Sequence, residues 1–177
     1  VSRIITPCPH CFHTFKNEYP ALGGHYEVIH HSQLLSALIN DRRLPDADQD
    51  HEKIQRVTYH DSCYLGRSNN IYEDPRQVIY WLQHELMEME RKREDGLCCG
   101  AGGAQMFKDA EPGDREINME RTEEALDTAP DVIATACPFC LTMMSDGIKE
   151  KNRDADVQVI DIVELLEAKL RRKKTAD

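Results

Sequence analysis

At 177 residues the chain can bury a sizeable core as one domain or two small ones. A composition of 40% hydrophobic and 31% charged residues is that of an ordinary soluble globular protein. The net charge of −10 disfavours nucleic acid as a partner, because phosphates call for a basic footprint, and no apolar run reaches the roughly 18 residues that would span a membrane. Seven cysteines, an odd number without a secretory leader pattern, argue against a disulfide framework and for a reducing, cytoplasmic setting.

In chain order, Ser2–Thr6 is short and β-branched and reads as a strand. Pro7-Cys8-Pro9-His10-Cys11 follows, and Phe12–Tyr19 continues as a helix that stops before Pro20. Leu22-Gly23-Gly24 is a turn, Tyr26–His30 a second strand, and Ser32 caps a helix over Gln33–Asn40 with Leu34, Leu35 and Leu38 on one face. Residues 40–55 are nearly all polar, and 46–55 are expected to be a linker. Val57–His60 is a strand with Cys63 just past its end, and Asp74-Pro75 is an N-cap and first helical residue before the apolar face Val78, Ile79, Leu82.

Glu85–Glu90 reads as a short strand, after which Arg91–Asp95 runs polar into Gly96-Leu97-Cys98-Cys99-Gly100-Ala101-Gly102-Gly103-Ala104. Arg115–Thr128 is a helix with a thin apolar stripe, and Asp131–Thr135 is a strand. Cys137-Pro138-Phe139-Cys140 opens a helix carrying Leu141, Met144 and Ile148 at helical spacing. Val157–Ile160 is a strand and Ile162–Leu170 a helix, with Arg171-Arg172-Lys173-Lys174 as its solvated end at the negative pole of the helix dipole.

An internal repeat emerges from this reading. Ile4-Ile5-Thr6-Pro7-Cys8-Pro9-His10-Cys11 lies over Ile133-Ala134-Thr135-Ala136-Cys137-Pro138-Phe139-Cys140, and Val28–Leu35 lies over Val159–Leu166. Each copy runs strand, Cys-Pro-x-Cys, helix, strand, helix. The expected fold class is α/β, with two pseudo-repeated units of mainly parallel strands. Residues 1–45 would be the back part of a first unit truncated at its N-terminus, and 56–177 a complete second unit. Because the chain opens on Val1 inside a strand, a piece of a longer protein is expected.

The adjacent pair Cys98-Cys99 cannot easily bridge itself, but both thiols can face one polynuclear metal centre. Gly100, Gly102 and Gly103 let backbone N–H groups come close to a bulky anionic guest. Cys137 and Cys140 fall at a strand end and helix start, where the dipole favours the thiolate. Cys63 also follows a strand, so three strand-end loops can bring Cys63, Cys98, Cys99, Cys137 and Cys140 to one edge of the sheet.

Rival readings of these residues are a zinc site built from the two C-x2-C pairs, thioredoxin-like thiol–disulfide chemistry at Cys8-Pro9-His10-Cys11, and buried structural cysteines in a tight turn. A phosphate loop at Gly100–Gly103 lacks the required spacing and lysine. His60, three residues before Cys63, reads as a partly buried structural histidine or a hydrogen-bond partner near the site. Arg67 reads as solvated or as a counter-charge, and Met106, Met143 and Met144 as core filler. No general base, nucleophile or substrate pocket can be picked out, and the catalytic residues stay unknown.

His60-Asp61-Ser62-Cys63-Tyr64-Leu65-Gly66-Arg67, Cys98-Cys99-Gly100-Ala101-Gly102-Gly103 and Cys137-Pro138-Phe139-Cys140 together resemble the cysteine-rich CCG-domain family of heterodisulfide reductase and related iron–sulfur oxidoreductases. In detail the chain is similar to the C-terminal part of membrane-bound reductases that pass electrons from electron-transfer flavoprotein to quinone. The resemblance implies one complete [4Fe–4S] site, cubane or non-cubane, ligated by the five-cysteine motif. It implies a second, partly encoded site to which Cys8 and Cys11 contribute. It also implies an electron-transfer module of an oxidoreductase, with a flavoprotein or ferredoxin-type redox partner and a quinone or disulfide acceptor. The module would sit on the cytoplasmic face of a membrane through its parent protein.

Overall fold

The computed structural model describes residues 1–45, 54–109 and 112–176, with side chains to Leu170. The expected linker at 46–55 falls largely outside these residues, as do the side chains of Arg171–Lys174. Strands and helices alternate: β1 (Arg3–Thr6), α1 (Pro9–His13), β2 (Glu27–His30), α2 (His31–Asn40), β3 (Arg56–Tyr59), α3 (Glu73–Trp81), β4 (Glu85–Leu86), α4 (Ile117–Asp127), β5 (Val132–Thr135), α5 (Pro138–Glu150), β6 (Gln158–Asp161) and α6 (Ile162–Ala176). β1 and β2 form a two-stranded parallel sheet, and the other four strands a parallel sheet in the order β4-β3-β5-β6. The chain is therefore α/β with parallel strands, as its alternating pattern predicts. Among the described residues no helix is long and apolar enough to cross a membrane.

The repeat persists in atomic detail. Ile4 pairs with Val28 and Thr6 with His30; in the other copy Ile133 pairs with Val159 and Thr135 with Asp161, the same register. Cys8 and Cys137 are the N-caps of α1 and α5, each followed by proline in the first turn, where a missing N–H costs nothing. Each cap carbonyl accepts a backbone N–H at 2.9 Å, from Phe12 in one copy and Leu141 in the other.

The second helices start alike as well. The His30 N–H donates to Gln33 Oε1 at 3.2 Å and His30 Nδ1 accepts from the Ser32 N–H at 3.4 Å. In the other copy the Asp161 N–H donates to Glu164 Oε2 at 3.2 Å and Asp161 Oδ1 accepts from the Val163 N–H at 2.9 Å. This is one reciprocal capping box used twice.

Three boundaries differ from the sequence reading. His30, not Ser32, caps α2, because the ring nitrogen reaches the backbone donor that a serine oxygen would take. Tyr72, not Asp74, precedes α3, and Pro75 sits third in the helix, still within the turn whose N–H groups lack helical partners. The first helix does not stop before Pro20: it passes into a π-helical turn at Thr14–Glu18 and a 3-10 turn at Tyr19–Leu22, ended by Gly23 in the left-handed region. A further 3-10 turn at Gly102–Phe107 lies in what reads from sequence as an open loop.

The main apolar core spans both copies. Phe12 and Leu35 pack in the same cluster as Val57, Val78, Ile79, Val132, Ile162, Leu165 and Leu166. A second cluster of Met89, Ala125, Ile133, Met144, Ile148 and Val157 fills the other face. Leu35 and Leu166 occupy equivalent positions in the repeat and share one cluster.

Candidate metal centre

β3 and β5 are parallel neighbours, so their carboxyl ends open on the same edge of the sheet. Cys63 follows one and Cys137 and Cys140 the other, while the segment after β4 brings up Cys98 and Cys99. The thiols interact electrostatically as neighbours in a continuous string: Cys63 with Cys98, Cys98 with Cys99, Cys99 with Cys140, Cys140 with Cys137, Cys137 with His10, His10 with Cys8, and Cys8 with Cys11; Cys8 Sγ lies 4.0 Å from His10 Nδ1. Cys99, Cys137 and Cys140 are buried, Cys8, Cys63 and Cys98 half-buried, and Cys11 exposed. No two of these sulfurs form a disulfide; all seven cysteines are free thiols.

Thiols this close cannot all ionise: Cys98 and Cys137 are held down, while Cys63, Cys99 and Cys140 are pushed up. Hydrogen bonds from Cys63 and Cys99 hold Cys98 far below the ordinary thiol range. Cys63 is pushed well above it by its bond to Cys98 and by burial. A hydrogen bond from Cys140 brings Cys137 down to about 5 against the cost of burial. Cys140 itself is pushed far up by its bonds to Cys137 and Cys99 and by its burial. The Cys140 bond favours the Cys99 thiolate, but Cys98 and burial override it and lift Cys99 to about 12. Bonds to Cys137 and then Cys8 raise His10 to about 9 against the effect of its burial. Cys98 and Cys137 are thereby poised as thiolates, the form that binds a metal cation.

The two Cys-Pro-x-Cys turns face each other. The His10 ring lies 5.2 Å from the Phe139 ring and 4.1 Å from the Tyr64 ring. His10 and Phe139 hold the same position in the two Cys-Pro-x-Cys turns.

The cysteine loops are anchored by buried charge. Arg76, fully buried, makes a bidentate pair with Asp61 at 2.8 Å for both bonds and a second pair with Glu88 at 2.7 and 3.0 Å. Its guanidinium also lies over the Tyr59 ring. Asp61 Oδ2 accepts the Arg93 N–H at 2.7 Å, which ties the loop before Cys63 to the segment leading into Cys98. Burial would raise Asp61, but the Arg76 hydrogen bonds and charge hold it below the usual carboxylate range.

The glycines divide. Gly100 has φ +90°, its N–H reaches Cys98 Sγ at 3.4 Å, and a Cβ there would lie 3.2 Å from the Asn118 nitrogen. Gly102 and Gly103 have open space where a Cβ would go.

His60 is fully buried at the end of β3, not partly buried as its sequence context suggests, and its N–H continues the sheet to the Ala134 carbonyl at 2.9 Å. A ring nitrogen of His60 and the sulfurs of Cys99 and Cys140 lie within 4.8 Å of one another. Burial and the charge of Arg121 push His60 down to about 3. Arg67 lies near enough to favour the Cys63 thiolate, and Met143 packs on the cysteine cluster while Met144 is core. Arg76 and Arg121 carry no signal in the sequence, and Asp61, part of the motif around Cys63, shows its anchoring role only in the fold. The one signal that could have flagged Asp61 is its place two residues before a strand-end cysteine.

An α/β scaffold with a string of thiols along the carboxyl edge of its sheet defines a cysteine-rich domain of the metal-binding or redox kind. This chain belongs to the CCG cysteine-rich domain family, whose profile matches residues 57–145. It is 47% identical over 167 residues to a probable iron-sulfur-binding oxidoreductase, FadF, of Bacillus subtilis, covering 94% of this chain and 23% of that protein. It is 40% identical over 172 residues to the EtfAB:quinone oxidoreductase of Syntrophomonas wolfei, covering 94% and 24%. It is 34% identical over 171 residues to one subunit of the dihydromethanophenazine:CoB–CoM heterodisulfide reductase of Methanosarcina acetivorans, covering 93% and 40%. The chain thus spans less than half the length of each of these relatives.

Proposed function

We propose that this chain is an iron–sulfur electron-transfer module of an oxidoreductase, with Cys63, Cys98, Cys99, Cys137 and Cys140 supplying thiolate ligands to a [4Fe–4S] cluster. The observation that carries the proposal is the unbroken, half-buried to buried string of five thiols at one sheet edge. The donor set fits the group: it is all sulfur, Cys98 and Cys137 favour the thiolate, and a backbone N–H already reaches one of its sulfurs. The cluster, when bound, takes up and returns electrons. The protein's part is to ligate it through these cysteines, to aim backbone donors such as the Gly100 N–H at its sulfur ligands, and to keep water from its buried side. Gly102 and Gly103, with nothing packed over them, leave room for the same approach.

The names of the relatives support a flavoprotein or ferredoxin-type donor and a quinone or disulfide acceptor, at a membrane face through the parent protein. We further propose that residues 1–45 and 56–177 belong to two units of a repeat. Cys8 and Cys11 then contribute to a second cluster whose other ligands come from outside this stretch. The exposed Cys11 beside Cys8, which is held below the thiol range by His10 and Cys11 against its burial, favours a second reading for that pair alone: thiol–disulfide exchange. Anaerobic loading followed by iron, sulfide and zinc analysis tests the main proposal. Iron and sulfide in equal amounts support it, and stoichiometric zinc without sulfide contradicts it.

A further inference from the structure

The residue that governs the buried side of the thiol cluster is not a cysteine. Arg121 is fully buried on α4, and its Nε–H donates to His60 Nδ1 at 3.0 Å. Its Nη1 donates to the Arg91 carbonyl at 2.8 Å and to Glu124 at 2.9 Å, while Nη2 has no partner among the described residues. A guanidinium has donors only and does not give up its proton in proteins. His60 Nδ1 must therefore be an acceptor, and a doubly protonated ring would set N–H against N–H. The neutral ring carries one proton, which must sit on Nε2. That Nε2 is buried and has no partner among the described residues. With Nδ1 taken by Arg121, Nε2 is the nitrogen left to serve the sulfurs of Cys99 and Cys140 beside the ring.

We infer that Arg121 locks His60 as its Nε2–H tautomer, so that His60 is not a metal ligand but a hydrogen-bond donor to the sulfur of the iron–sulfur group. A ligating histidine offers a lone pair, and the partner of its other nitrogen decides which atom has it; here Arg121 takes that choice away. The Nε2–H supplies a donor, and the buried Arg121 adds positive charge behind it. Both stabilise the more negative, reduced state of a cluster and raise its reduction potential. His60 and Arg121 are thus positioning and tuning residues, a role that rests on the cluster proposal above.

The test uses the full chain, labelled with 15N at histidine and loaded anaerobically with iron and sulfide. In the reduced, EPR-active protein, pulsed EPR should find a weakly coupled exchangeable proton assigned to His60 and no nitrogen bonded directly to iron. His60→Leu should retain the iron content and shift the potential to more negative values, whereas His60→Gln, which keeps an N–H donor, should recover part of the shift. Before loading, 15N NMR of the reduced chain should show His60 protonated at Nε2, and Arg121→Met should relax that tautomer preference. A directly coordinated His60 nitrogen, a proton on Nδ1, or an unchanged potential in a fully loaded His60→Leu would overturn the inference. If His60→Leu fails to fold, the proton and nitrogen couplings of the wild-type protein decide. If the wild-type chain takes up no iron and sulfide, the cluster proposal fails first and this role falls with it. That outcome is distinct from iron present with the wrong nitrogen.

Discussion

Asp61 is the side chain on which most of the site's geometry converges. It accepts two bonds from Arg76 and one from the Arg93 backbone, holding the strand end before Cys63 to the segment before Cys98. Removing one partner of a buried pair typically costs about 3–5 kcal/mol when the other charge is left uncompensated, but Arg76 keeps its bonds to Glu88 when Asp61 is removed. Asp61→Ala should therefore lower the free energy of unfolding at pH 7 by less than that, about 1–3 kcal/mol, read from denaturant titrations. The sign of the pH dependence follows from the lowered pKa: stability from Asp61 is present above its unfolded value of about 3.9 and is lost as pH falls through the folded value below that. The wild type should lose more stability across this acid window than Asp61→Ala does. None of this anchoring was legible in the sequence, because nothing local marks Arg76 as buried and arginine is rarely buried without partners. The cysteines were legible, since strand-end and helix-start positions are set by local pattern.

At the scale of elements, α4 and α5 pack closely because Gly147 leaves room for Thr122. A Cβ on Gly147 would fall 2.1 Å from Thr122 Oγ1 and 3.0 Å from its Cβ. Gly147→Ala should destabilise the fold by about 1–3 kcal/mol through overpacking, and adding Thr122→Ala should recover part of the loss by removing the hydroxyl. Thermal unfolding of the two variants checks this. Because α5 carries Cys137 and Cys140 at its start, the same clash should reach the thiol cluster. The order strand, Cys-Pro-x-Cys, helix, strand, helix was readable twice, since β-branched runs and prolines after a strand are local signals. The π-helical continuation of α1 and the His30 cap were not. One depends on tertiary packing, and the other on a histidine doing what serine or asparagine usually does.

The whole molecule is held as one body by a core that both copies share. Phe12 and Leu35 from residues 1–45 pack in the cluster built mainly by residues from 57 onward, and His31 Nε2 lies 2.8 Å from Asp161 Oδ1 across the junction. The chain should therefore unfold in a single transition seen alike by circular dichroism and fluorescence. Leu35→Ala should shift that one transition by about 2–5 kcal/mol. Two separate transitions would show that the copies fold independently. The α/β class and the parallel pairing were readable from alternation alone. The meeting of His10 with Phe139, which brings the two Cys-Pro-x-Cys turns together, was not, because no local signal encodes how two units face each other.

On the function proposed above, the five thiols at the sheet edge hold one iron–sulfur cluster. The most direct test is the iron and sulfide content of the anaerobically loaded chain beside that of Cys99→Ala. Cys99 is the buried link between Cys98 and Cys140, so it has no stand-in at its position. The wild-type chain should hold about four irons and four sulfides. Cys99→Ala should lose or convert that cluster, with the far-ultraviolet circular dichroism of the two proteins unchanged. Equal iron and sulfide in both, at full folding, would contradict it.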